Sequence, residues 1–141
     1  MAKILIVDND AELREHYKRE LEREGHLVLA GATGLDGFRL FLEGRPNLVI
    51  LEICLPEMDG LDLMSRILDR DRRMPVILNT AYAHYRDNFL SWAADAYLIK
   101  STDTQELRDT VRELVQPRPP TGAPITALAT RTAMALALYG R

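Results

Sequence analysis

Five polar residues stand where apolar runs end. Asp8 and Asn9 follow Lys3–Val7, Glu52 follows Leu48–Leu51, Thr80 closes Val76–Thr80, and Lys100 follows Tyr97–Ile99. Two carboxylates, an amide, a hydroxyl and an ammonium brought to one place would make a reactive or ligand-binding site. A hard cation wants oxygen ligands and neutralising charge. Asp8 and Glu52 can supply both, whereas Asn9 supplies oxygen without charge. Whether these residues meet depends on the elements that carry them.

The apolar runs alternate with amphipathic segments. Strands are expected at 3–7, 27–30, 48–51, 76–80 and 97–99. Helices are expected at 11–24, 34–43, 61–69, 85–94 and 104–115. In the first helix Leu13, Tyr17 and Leu21 recur on one face, with charge elsewhere. Gly25 suits its C-terminal cap, and Gly44 with Pro46 ends the second helix. The strands are almost continuously apolar, as strands covered on both faces are. Five such strand–helix units imply an α/β fold with a parallel sheet and right-handed crossovers. In these sheets ligands bind beyond the carboxyl ends of the strands. The topology therefore gathers Asp8, Asn9, Glu52, Thr80 and Lys100 at one end.

With 141 residues, 47% hydrophobic and 28% charged, the composition is that of one globular domain with a short appendage. Net charge is −3; without the tail arginines Arg118, Arg131 and Arg141, residues 1–116 carry −6. That balance disfavours a nucleic-acid surface. A lone cysteine, Cys54, rules out an intrachain disulfide. The chain lacks an apolar run of membrane-spanning length and a secretion-signal core, so a cytoplasmic protein with no membrane role is expected. Pro117, Pro119, Pro120 and Pro124 mark 117–124 as a linker. The Ala/Leu-rich segment 125–141 reads as a helical tail suited to self-association.

The segment Glu52-Ile53-Cys54-Leu55-Pro56-Glu57-Met58-Asp59-Gly60, with the acidic turn at Asp8, Thr80-Ala81 and Lys100, resembles the receiver domain of response regulators in two-component signalling. The resemblance covers residues 3–116. It implies a flavodoxin-like (βα)5 sandwich with sheet order 2-1-3-4-5, a signalling role rather than an enzymatic one, and a histidine kinase or downstream effector as partner. It also implies roles by position. Glu52 matches the phosphoacceptor aspartate, and Asp8 with Asn9 matches the acidic pair that helps bind Mg²⁺. The backbone carbonyl of Cys54 would complete the metal ligands with Asp8 and Glu52. Thr80 matches the hydroxyl that meets the phosphoryl group, Tyr97 the aromatic switch, and Lys100 the charge-neutralising lysine. In the family the face built from the fourth helix, fifth strand and fifth helix transmits the signal. Trp92, His84 and Tyr85 lie near it, and a homodimer through that face or through the tail is a further expectation.

Three departures alter the expected chemistry. Glu52 replaces the aspartate and reaches about 1.5 Å further, where a misplacement of about 1 Å already costs in-line attack dearly. Its carboxylate carries one negative charge against about two for a phosphate, so it would mimic a phosphorylated aspartate only in part, by approaching Thr80 or pairing with Lys100. Asn9 for an acid predicts weak or absent Mg²⁺ binding. Ser101 stands where the family usually has a cis proline; a cis bond without proline costs about 2.5–4 kcal/mol, so a trans, reshaped loop is expected. The reading that follows is an atypical, phosphorylation-independent module acting through protein–protein contacts. The alternative is a receiver phosphorylated weakly on Glu52. A minor alternative is a haloacid-dehalogenase-like phosphatase with Asp8 as nucleophile and Asp10 as acid/base, which leaves Leu55–Gly60 without a purpose.

Overall fold

The computed structural model describes residues 1–116, apart from the Phe89 side chain; the proposed linker 117–124 and tail 125–141 lie outside the described residues. Among these residues five strands, β1 (Lys3–Val7), β2 (Leu27–Gly31), β3 (Leu48–Leu51), β4 (Val76–Thr80) and β5 (Ala96–Ile99), form one sheet in the order β2-β1-β3-β4-β5. Every pairing is parallel. The order reverses at β1, so the carboxyl ends of β1 and β3 flank the crevice in which such sheets bind ligands.

Strand alternation divides the core into two layers. Ile4, Ile6, Ile50 and Ile77 face α1 (Ala11–Arg23) and α4 (Gln105–Leu114), meeting Tyr17, Leu21, Leu107 and Val111. Leu5, Val7, Val49, Leu51 and Leu78 face α2 (Gly34–Gly44) and α3 (Gly60–Arg70), meeting Phe41, Leu63, Met64 and Ile67. The first three helices begin at side-chain caps: Asp10 accepts from the Leu13 N–H, Thr33 from that of Asp36, and Asp59 from that of Leu61.

The expected helix at 85–94 does not form. Ala83–Asp87 and Phe89–Ala93 are two short 3-10 turns. Asn88 sits between them in extended conformation, and its side chain accepts from the Leu90 N–H. Asparagine can cap a turn in this way in competition with helix continuation. The first turn also buries no residue, so packing does not favour a longer helix there.

Candidate functional site

The first turn past β1 is folded around Asp8. Its Oδ1 accepts the Asp10 N–H at 2.9 Å, which tightens the chain before α1. Its backbone carbonyl accepts from Arg14 Nη1 at 2.7 Å. Glu52, one residue beyond β3, is equally enclosed: Asp8 and Glu52 are 3% and 4% exposed. Glu52 Oε2 accepts the N–H of Ile53 at 2.8 Å. That bond turns Oε1 towards Lys100, whose Nζ lies 3.0 Å from Glu52 Oε1 and 3.0 Å from Asp8 Oδ1. One ammonium thus joins two buried carboxylates.

Burial raises the Asp8 pKa above the ordinary carboxylate value, even though the Asp10 N–H and Lys100 both pull it down. Burial opposes the Lys100 charge, yet hydrogen bonds and attraction from Asp8 and Glu52 prevail, and its pKa lies above the ordinary lysine value. The ammonium is therefore firmly protonated, while the ion pair does not fully offset desolvation of Asp8.

Thr80 closes β4 with its side chain in the core. Among the described residues its Oγ1 is the buried side-chain oxygen without a hydrogen-bond partner. Glu52 thus takes the second of its two expected partners, Lys100 rather than Thr80. Tyr97 packs half-buried against the α2–α3 layer. Its hydroxyl donates to the Tyr82 carbonyl, and the Arg86 guanidinium lies 5.2 Å from its ring centre. Asn9 is exposed at the rim and does not join the buried cluster. The Cys54 thiol contacts the Tyr85 hydroxyl at 3.5 Å.

The loop after Glu52 is shaped by close approach. A Cβ at Gly60 would lie 2.1 Å from the Glu52 carbonyl oxygen and 2.7 Å from the Ile53 Cα, and the Gly60 N–H donates to the Ile53 carbonyl. Glu57 Oε1 accepts the Gly34 N–H at 2.6 Å, which ties this loop to the start of α2. Asp10 serves as the cap of α1, which leaves the phosphatase reading without its acid/base group.

The groups that could hold a divalent cation are Asp8, Glu52 and the Cys54 carbonyl. Such a cation wants at least six oxygens. Here Lys100 and the Asp10 N–H share Asp8 Oδ1, and Glu52 gives Oε1 to Lys100 and Oε2 to the Ile53 N–H, so the ammonium sits on both carboxylates a cation would need and the donors do not fit the ion as arranged. Among the described residues no cluster of three or more His, Cys, Asp or Glu side chains is placed to bind metal.

Comparison with known proteins gives this arrangement its family. The model of the response regulator receiver domain matches residues 4–112. The chain belongs to the response-regulator receiver domain family. The chain is 38% identical to the Thermotoga maritima response regulator TrrA, crystallised with Mg²⁺ and BeF; that match has a TM-score of 0.79 and covers 82% of this chain and all of that one. TrrA in complex with the histidine kinase ThkA matches with a TM-score of 0.77, again covering 82% of this chain and all of that one. The transcriptional regulatory protein AfsQ1 of Streptomyces coelicolor is 33% identical over 118 residues, 82% of this chain and 52% of that protein. The Escherichia coli regulator CusR is also 33% identical, over 81% of this chain and 51% of its own length. The receiver domain thus spans about half the length of the curated relatives it matches. No helix among the described residues is long and apolar enough to cross a membrane.

Several receiver-domain residues that shape the site had no place in the sequence reading. Arg14 holds Asp8. Tyr17, taken there only for its apolar face, donates to the Ser101 carbonyl, and His16, which lacks ligand-like spacing, meets the Thr102 carbonyl. Asn79 is buried within β4. The available signals were a polar residue inside an apolar run and Arg14 and Tyr17 one helical turn apart.

Proposed function

We propose that this receiver domain acts in two-component signalling without phosphotransfer, through a conformation maintained by its own charges. The observation that carries the reading is Lys100 Nζ at 3.0 Å from both Asp8 and Glu52. An ammonium on both carboxylates competes directly with a divalent cation. Glutamate in place of aspartate displaces the nucleophile by about one methylene, beyond the tolerance of in-line attack. Both the metal and the attack geometry of phosphotransfer are thereby weakened. The half-buried Tyr97, anchored to the Tyr82 carbonyl, supports a settled surface for partner binding. The complex of TrrA with a histidine kinase makes such a kinase, or a downstream effector, the class of partner to test.

A second reading, weak phosphorylation on Glu52, is favoured by one observation: the partnerless Thr80 hydroxyl could donate to a phosphoryl oxygen. One experiment separates the two. The chain is incubated with acetyl phosphate and Mg²⁺ and its intact mass recorded. The expected result is an unmodified mass. A substantial species heavier by about 80 Da, one phosphoryl group, mapped to Glu52, would establish the second reading instead. The double variant Glu52→Asp, Asn9→Asp is expected to move towards labelling.

A further inference from the structure

We infer that α1 positions Lys100, with Tyr17 and His16 holding the loop that a proline usually shapes in this family. The inference concerns geometry, and it stands whether or not the site takes a phosphoryl group. Lys100 is followed by Ser101, and the described chain has no cis peptide. A serine in a trans peptide leaves more backbone freedom than a proline ring, whose φ is fixed. Yet the Lys100 side chain is 11% exposed and bridges two carboxylates, which demands a defined loop.

The constraint comes from across the chain. The hydroxyl of Tyr17, a residue 1% exposed, donates to the Ser101 carbonyl at 3.1 Å. One residue on, His16 Nε2 lies 2.8 Å from the Thr102 carbonyl. A carbonyl only accepts, so Nε2 carries the proton. Behind Tyr17, Asn79 is buried in β4 and pulls the phenol pKa down against the larger effect of burial. On the other side of Lys100, the backbone N–H of Lys100 donates to the Thr80 carbonyl at 2.8 Å. The loop is thus pinned before and after the residue it presents.

Arg14 extends the same logic. It lies three residues before Tyr17 on α1, and its guanidinium holds the Asp8 carbonyl. Residues at this spacing are neighbours on one helix face. One face of a rigid helix therefore grips the backbone at both ion-pair partners, Asp8 itself through Arg14 and Ser101, the residue after Lys100, through Tyr17. Their separation is set by helix geometry rather than by the ion pair alone. Tyr17 and His16 are positioning residues, since neither touches the carboxylates.

The test reads Lys100 itself. Its ammonium, assigned by NMR through its own side chain, is expected to exchange hydrogen slowly in the full chain because it is ion-paired and shielded. Tyr17→Phe keeps the ring and removes the donor. It is expected to quicken Lys100 ammonium exchange at least tenfold while amide exchange in β1, β3 and β4 stays as it was. Unchanged ammonium exchange in a folded Tyr17→Phe chain would overturn the inference, as would faster exchange throughout the sheet, the mark of a purely structural tyrosine. If Tyr17→Phe does not fold, His16→Ala decides by the same readout, because His16 is half-buried and stands outside the two core layers. Acceleration restricted to Lys100, reversed in His16→Gln, supports the inference, and no change in His16→Ala overturns it.

Discussion

At the scale of single residues, Lys100 is the balance point of the site. Removing one partner of a buried ion pair leaves charge without compensation, at a cost of about 3–5 kcal/mol. Lys100→Met is therefore expected to lose about 3 kcal/mol at pH 7. The pH dependence has a definite sign. The Asp8 pKa is already raised by burial in the folded chain, so its contribution is most favourable below the ordinary value of 3.8 and is lost as pH rises through the folded value. Without Lys100 that value climbs further, so the variant should regain stability as pH falls. Lys100 behaves oppositely: its raised pKa gives stability fully present below 10.5 and lost as pH rises through the folded value, a loss the variant cannot show. Urea unfolding across pH measures both. A variant within about 1 kcal/mol of the parent at pH 7 and flat as pH falls would contradict the role given to the pair. The same competition predicts that Mg²⁺ does not saturate the parent at sub-millimolar concentration, as followed by calorimetry.

At the scale of elements, the junction of β3 and α3 is the least tolerant place. Gly60→Ala puts a Cβ 2.1 Å from the Glu52 carbonyl, and the neighbour is backbone, which cannot swing aside. Overpacking of this kind typically costs about 1–3 kcal/mol, and a displaced Glu52 should also lose its hold on Lys100. Gly25 offers the contrast. It has φ +92 and nothing within 4 Å of a built Cβ, so Gly25→Ala meets only backbone strain. Urea midpoints are expected to fall for both, but the Lys100 ammonium signal should shift only for Gly60→Ala. The broken segment Ala83–Ala93 belongs to this scale too. Its amphipathic pattern reads as a helix, but Asn88 caps a new turn in the middle of it, and little of it is buried.

At the scale of the whole molecule, residues 1–116 are acidic and contain two core layers, whereas residues 117–141 carry three arginines and no acid. An apolar helical stretch of about 15 residues is marginal alone in water and needs a surface to pack on. Deleting residues 118–141 is expected to leave the fold intact and convert a dimer to a monomer in light scattering. A full-length chain that is monomeric at high micromolar concentration would remove the dimer reading. A dimer that survives the deletion would move the contact to the face around Trp92 and Tyr97.

The sequence alone determined the sheet, its parallel sense and the end at which its polar residues collect. Each of those follows from local signals: continuous apolar runs, amphipathic segments between them, and a polar residue where each run stops. It also carried the family, through Glu52–Gly60 with Asp8, Thr80 and Lys100. Only tertiary structure decided what these groups do to one another. Lys100 and Asp8 are 92 residues apart, and Tyr17 and Ser101 are 84 apart. No periodicity records such distances; they arise when the strands align side by side and α1 packs on one face of the sheet. Whether Glu52 would meet Thr80 or Lys100 was likewise open in the sequence, because a glutamate side chain reaches both. The Ile53 N–H settles it by taking one carboxylate oxygen and turning the other to the ammonium.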